Sequence, residues 1–273
     1  MRAVYRVARA TFHEAWRRRF LNGILIFAIL IIGSSWVFAY LQPGAELKML
    51  IDVGLGSIRF FGMLIAVFLG TRLIADEIEK RTIHTILTKP VTRTQFLFGK
   101  FLGGAATVLS NVVLMGLAFY ITFAIKAPQF KNVAADQGGS AMSMEFMYAN
   151  IAKAIGLAFC ELTVLVALSV AASTIFSWIF AAITTFFIYF VGQMSDFFRS
   201  LSDPERGASK MAQILLGTIY RLLPHFEIFD VREAIMKDQP IPLDLLLKTA
   251  GTGLLYVVVI MLIGYLFFNE REV

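Results

Sequence analysis

The chain has little of what a soluble enzyme would use. A single cysteine, Cys160, stands among 273 residues, so neither a disulfide framework nor a CxxC-type metal site can be built. Charged residues make up 16% of the chain, well below the roughly 25% of soluble domains, and this excludes an ordinary soluble fold. The histidines His13, His84 and His225 lie far apart in sequence, and no shared metal site is expected of them. There is no GxxxxGK[ST] phosphate loop, HExxH, GxSxG or Asp-rich calcium loop. No catalytic, cofactor-binding or metal-binding residue is therefore assigned. If the chain does energy-requiring work, the energy comes from another subunit or from an ion gradient.

What is present is apolar. Hydrophobic residues make up 58% of the sequence, including 26 Phe, and they gather into long, nearly uncharged runs. A run of roughly 20 such residues is what a helix needs to cross about 30 Å of hydrocarbon. The expected fold is an all-α integral membrane protein with about six transmembrane helices. Their expected ranges are 20–41, 53–75, 96–125, two helices sharing 149–198, and 245–268. Gln42-Pro43-Gly44 breaks the first span, and Ala171-Ala172-Ser173-Thr174 with Ser177 divides the fourth from the fifth. The whole is read as one transmembrane domain, 1–273. An interfacial segment (1–19) leads into spans one and two (20–75), followed by a polar segment (76–95) and spans three to five (96–198). An outer segment (199–244) precedes the last span and tail (245–273).

Residues 1–19 carry six Arg. At 100° per residue Val4, Ala8, Phe12 and Trp16 form one stripe, with Tyr5 beside them, and Arg2, Arg6, Arg9, His13 and Arg17 face the other way. That is the pattern of a helix lying in the membrane interface. The net charge of +6 is placed beside the apolar runs, as anionic lipid headgroups and the positive-inside rule require, and no nucleic-acid partner is expected. Lys and Arg cluster in residues 1–19 and around 72–100. The first two outer loops carry only Lys48, Lys126 and Lys131. Both termini are expected in the cytoplasm, in a multi-pass plasma (inner) membrane protein.

The stretch 76–93 continues the second span, groups Ile78, Ile83, Ile86 and Leu87 toward one side, and stops at Pro90, which lacks a donor and disfavours helix before it. Thr92 or Thr94 can cap the helix that follows. An interfacial helix resting on lipid is one reading; a docking helix presenting an apolar anchor to a cytoplasmic partner is the other. Within the spans, Arg59 and Glu161 are costly charges that must face a partner or a water-filled path, as a locking pair (Arg59–Glu161 or Lys153–Glu161) or as a polar route. Gly99 and Gly103 form a GxxxG, a candidate helix-packing seam within one subunit or between two. In 207–222, Met211, Ile214, Leu215, Ile219 and Leu222 follow helical spacing, as an amphipathic outer helix would.

The run Glu77-x-Glu79-Lys80-Arg81-Thr82-Ile83-x-x-Ile86-Leu87-Thr88-Lys89-Pro90-Val91-Thr92-Arg93, followed by Phe98-Gly99-Lys100-Phe101-Leu102-Gly103, resembles the ABC-2-type permease family, in particular its branch associated with multi-copper enzyme maturation. Leu223-Pro224-His225-Phe226-Glu227-Ile228-Phe229-Asp230-Val231-Arg232 is similar to that branch's segment before the last span. Arg81 departs from the pattern, since many relatives carry Gly before the Thr. The resemblance implies a transmembrane half-transporter, an exporter, that dimerises with a second permease copy and pairs with separate ATP-binding-cassette ATPase subunits. ATP and magnesium would be bound by those partners and not by this chain. It also implies that 1–19 is an elbow helix. Glu77, Glu79, Arg81, Thr82, Ile83, Ile86, Leu87, Pro90 and Arg93 would be ATPase-coupling residues in a cytoplasmic coupling helix. An ion-coupled secondary transporter and a membrane scaffold without transport activity are the alternatives. The substrate is left open.

Overall fold

Where no water reaches, every backbone N–H and C=O must be satisfied internally, so long apolar runs of this kind become helices. The computed structural model of the protein describes residues 2–79, 92–136, 144–201, 211, 216–218, 220, 223–237 and 239–270, with the side chains at 78–79, 130–136, 144–145 and 270 outside that description. The described residues form helices and no strand. In chain order these are α1 (Arg2–Trp16), α2 (Arg19–Gly33), α3 (Ser35–Ala39), α4 (Glu46–Glu79) and α5 (Arg93–Asp136). There follow α6 (Met144–Ile175), α7 (Trp178–Gln193), α8 (Ser195–Leu201), a 3-10 turn (Phe226–Phe229), α9 (Arg232–Met236) and α10 (Leu243–Glu270).

Four helical stretches are long and apolar enough to cross a membrane: Glu46–Glu77, Arg93–Gln129, Phe146–Ile175 and Leu243–Asn269. The pair α7 and α8, bent by 58° at their junction, makes a fifth if the two count as one span. The expected count of six is not met as such, because the run 20–41 is divided. Ser34, at φ −90° and ψ 0°, separates the 15-residue α2 from the five-residue α3. At 1.5 Å per residue α2 alone reaches only about 22 Å, short of the hydrocarbon thickness. Gly44 turns the chain after α3 with φ 86°, a left-handed conformation that glycine adopts without penalty. Two further boundaries differ from expectation. Helix α4 begins at Glu46 rather than near Val53, and α5 continues through Pro128 to Asp136 where a loop from Lys126 is expected.

Helices α4 and α6 are the centre of the molecule. In their apolar windows 72% and 67% of residues are buried, against 22% in α10. Small residues on α4 let the two axes approach. A Cβ on Gly62 would lie 2.4 Å from Leu162 Cδ1, and one on Gly70 would lie 2.0 Å from Ser169 Oγ. Ser169 Oγ donates to Leu165 O on its own helix (2.8 Å) and also lies 3.3 Å from Ala66 O across the seam. Facing α5, Gly54 leaves room for the fully buried Phe119 ring, 2.0 Å from where a Cβ would stand. These contacts depend on side chains no larger than hydrogen at three places on one helix, the usual route to close packing in lipid.

Candidate functional site

The strongest concentration of polar chemistry lies where α4, α6, α7 and the segment before α10 meet. Glu161, near the midpoint of α6, is wholly buried, and Arg59 of α4 is 7% exposed. Arg59 grips the carboxylate with two parallel bonds, Nε to Oε2 and Nη2 to Oε1, both 2.8 Å. This fork-on-fork arrangement is the strongest that the two groups can make. Glu161 Oε1 also accepts from Gln193 Nε2 (2.7 Å) and Tyr189 Oη (3.1 Å). The Gln193 amide in addition reaches Tyr189 Oη at 3.0 Å. Tyr189 and Gln193 sit one turn apart on α7, so a single face carries both.

Arg59 is not closed off by Glu161. Its Nη1 pairs with Asp230, and Asp230 is held by Arg232 through Nε (3.0 Å) and Nη2 (2.7 Å), with the Arg232 backbone N–H donating to the same carboxylate (3.1 Å). Arg232 Nη1 reaches Asp52 Oδ1 at 3.0 Å, passing Gly56, where a Cβ would come within 2.9 Å of it. Charge thus alternates from Glu161 through Arg59, Asp230 and Arg232 to Asp52. Burial would raise the Asp230 carboxyl, but the hydrogen bonds from Arg232 and the charges of Arg59 and Arg232 outweigh it, and its pKa falls to about 2. The same bond to Asp230, set against burial, raises the Arg232 guanidinium above its ordinary value. A cleft of about 10 Å³, lined in part by Leu55, Ala158 and Phe229, abuts the chain of charges. It has room for about one water centre.

The segment carrying Asp230 is itself fastened to the bent helix pair. Phe226 is fully buried and packs against Tyr189, with ring centroids 5.1 Å apart. Pro224 O lies 2.5 Å from where a Cβ on Gly192 would stand. Beyond the bend, Glu227 Oε2 accepts the Asp196 backbone N–H at 3.0 Å, so a donor freed by the break finds a partner within the protein. Lys153, an alternative partner for Glu161 in the sequence, instead donates to Ile241 O at 2.7 Å. Of the network, the sequence marks Arg59 and Glu161 as a polar pair and carries Asp230 and Arg232 in the motif before the last span without a role. Asp52, Tyr189 and Gln193 were missed. The i, i+4 pairing of Tyr189 and Gln193 in an otherwise apolar helix was a usable signal. The link from Asp230 to Arg59 was not, because it spans 171 residues of separation between the two numbers.

At the opposite end of α4 lie the roots of the 76–93 stretch. Lys100 of α5 pairs with Glu77 at 2.5 Å. Arg93 Nη1 donates to the carbonyls of Phe268 (3.2 Å) and Asn269 (3.1 Å) at the end of α10, where a cation also suits the helix dipole. Phe96 stacks on Phe268 beneath it, centroids 6.2 Å apart. Thr92 and Gln95 cap α5 reciprocally, the Gln95 N–H to Thr92 Oγ1 (3.3 Å) and the Thr92 N–H to Gln95 Oε1 (3.4 Å). Arg18 bridges Glu14 (2.8 Å) and Asp76 (3.2 Å). Arg81, Thr82, Ile83, Ile86, Leu87 and Pro90, and the side chain of Glu79, lie outside the described residues.

Gly99 and Gly103 form a seam for α1. A Cβ on Gly99 would meet Val7 Cβ at 2.7 Å, and one on Gly103 would meet Ala8 O at 2.6 Å. The side of α1 carrying Val4, Val7, Ala8, Thr11 and Ala15 is partly or wholly buried, while Tyr5 and Trp16 of the expected apolar stripe are exposed. The arginines of α1 are exposed, as is His13. Most of the expected amphipathic helix 207–222 lies outside the described residues.

Comparison with known proteins places this architecture. The family model described as ABC-2 family transporter protein matches residues 24–273. The chain is similar to the protein named "Probable ABC transporter permease protein NosY" of Stutzerimonas stutzeri, 36% identical over 120 residues, 42% of this chain and 43% of the relative. The protein of the same name from Pseudomonas aeruginosa is 36% identical over 123 residues, 43% of this chain and 45% of the relative. The chain thus spans a little under half the length of the curated relatives it matches.

Proposed function

The chain belongs to the ABC-2 transporter family and is a multi-pass, permease-type membrane subunit; from that premise we propose that it is the membrane half of an ATP-driven exporter. It dimerises with a second permease copy and is driven by separate ATP-binding-cassette ATPase subunits, which bind the ATP and magnesium. Both termini lie on the cytoplasmic face of the inner membrane, α1 rests in that interface as an elbow, and 77–93 is the surface that the ATPase grips.

The observation that carries this reading is the anchoring of that stretch at both roots. Glu77 is tied to α5 by Lys100, and Arg93 is tied to the end of α10. A displacement of the segment by an ATPase closing on ATP would therefore be delivered to α4, α5 and α10 together rather than absorbed by a loose loop. Transmission needs two arrangements with different contacts in each. At the far end of α4 the chain Glu161–Arg59–Asp230–Arg232 joins two spans to the segment before α10 and holds them as one unit against which the 77–93 end can move.

The test is co-purification from native membranes with a soluble ATPase. Replacing Ile83, Ile86 and Leu87 together by Asp abolishes the association while the chain still inserts and remains folded. A complex that survives those substitutions removes the coupling role from 77–93. Transport driven by a proton gradient without any ATPase replaces the proposal with an ion-coupled transporter.

A further inference from the structure

A cleft of about 380 Å³ opens between the end of α1, the start of α2 and the last turns of the α4 span. That volume is within the range of small-molecule sites. Four arginines line it: Arg17, Arg18, Arg19 and Arg72. Two carboxylates accompany them, Glu14 and Asp76, and both are engaged by Arg18 at 2.8 and 3.2 Å. Among the described residues no carboxylate lies within ion-pair distance of Arg17, Arg19 or Arg72. The Arg72 guanidinium rests 4.4 Å above the Trp178 ring. Stacking fixes its plane and leaves the N–H edges available, the presentation that suits a phosphate.

The other wall is apolar. Phe20 packs edge-on against Phe68, centroids 5.4 Å apart, yet remains 62% exposed. Beyond it the same helix exposes Ile26, Phe27 and Leu30, a path that hydrocarbon would cover. Arginines at the mouth with an apolar track running along α2 form an amphiphilic site, and basic pockets between membrane helices hold anionic headgroups. We propose that this cleft binds one anionic phospholipid, its phosphate held by Arg17, Arg19 and Arg72 and one acyl chain lying along Phe20 and α2. The site would fasten α1, α2 and α4 to a particular lipid, independently of the ATPase contact at 77–93.

The full chain, purified in mild detergent and titrated with phosphatidylglycerol or phosphatidylcholine, is read by native mass spectrometry. One phosphatidylglycerol per chain is expected to be retained over phosphatidylcholine. The variant R17Q/R19Q should weaken its retention about thirtyfold, given the contribution of each basic residue near a membrane surface, and R72Q should also weaken it. The control R2Q/R6Q/R9Q removes charge from α1 outside the cleft and should leave retention unchanged. Equal weakening by the control and the cleft variants, or no preference between the two lipids, overturns the site. Release of phosphatidylglycerol by millimolar inorganic phosphate at constant ionic strength overturns the lipid assignment in favour of a soluble phosphate. Size-exclusion profiles and unfolding temperatures of the variants must match the wild type, and since Arg17 and Arg19 are exposed, they are expected to.

Discussion

The two ends of α4 hold charge in opposite ways. Toward Arg232, charges are paired in an unbroken alternation that starts from the wholly buried Glu161 and ends on Arg232 and Asp52, whose side chains keep 30% and 42% of their surface. Toward Glu77, the pairs are separate rather than chained: Lys100 and Glu77 keep 7% and 18% of their side-chain surface, and Arg18 and Asp76 keep 23% and 22%. Desolvation makes the first kind expensive to leave half-made, so it fixes one arrangement of helices. Of the second kind, the partly exposed Arg18–Asp76 pair can be exchanged for water at a smaller cost.

Removing one partner at the buried end should have the largest effect. Glu161→Ala strands Arg59 with Asp230 alone and should lower stability by about 3–5 kcal/mol, measured as loss of folded protein and a drop in unfolding temperature in detergent. Replacing both members, Arg59→Met with Glu161→Leu, should recover much of that loss. If transport or ATPase stimulation nevertheless stays abolished in the double variant, the pair does more than lock packing.

Asp230 gives the next effect, and it depends on pH. Its folded pKa is depressed from 3.8 to about 2, so its contribution is complete above pH 3.8 and is lost as pH falls through about 2. Unfolding temperature compared between pH 6 and pH 2 should fall more for the wild type than for Asp230→Asn, by a contribution of roughly 2 kcal/mol. Identical acid profiles would mean that the alternation does not extend past Arg59.

At the other end, packing rather than charge should dominate. A methyl on Gly103 would stand 2.6 Å from the Ala8 carbonyl, so Gly103→Ala should cost about 1–3 kcal/mol through overpacking. It should loosen α1, seen as faster tryptic cleavage at Arg6 and Arg9. Gly23→Ala has nothing within 4 Å and should be neutral or stabilise by up to about 1 kcal/mol. The smallest effect is expected from Arg18→Ala, at most about 1 kcal/mol. A loss as large as that of Glu161→Ala would erase the contrast between the two ends.

The apolar runs were legible because their physics is local. Twenty uncharged residues are a helix in hydrocarbon whatever they pack against, so α4, α5, α6 and α10 and the breaks at Gly44 and Ser177 could be placed from the chain. The division of the first run at Ser34 was not, because Gly33 and Ser34 are tolerated in spanning helices when neighbours satisfy the backbone. The apolar stripe of α1 divides in the structure: Val4, Ala8 and Phe12 are partly buried, while Trp16 and Tyr5 are exposed. Periodicity locates an apolar face without saying which part of it meets protein.

Glu161 and Arg59 were conspicuous for a local reason too, the cost of charge in a span. What surrounds them was decided elsewhere. Asp230, Arg232 and Asp52 read as ordinary loop and helix-end charges until the segment after α8 folds back over α4. Gly99 and Gly103 advertise close approach, and only the tertiary structure assigns that approach to α1. Sequence by itself determined that this is a helical membrane protein with two costly buried charges, since hydrophobicity and desolvation act residue by residue. Which groups neutralise those charges and which helix fills each glycine seam were settled only by the fold, since pairing energies exist only between groups that folding brings within a few ångströms.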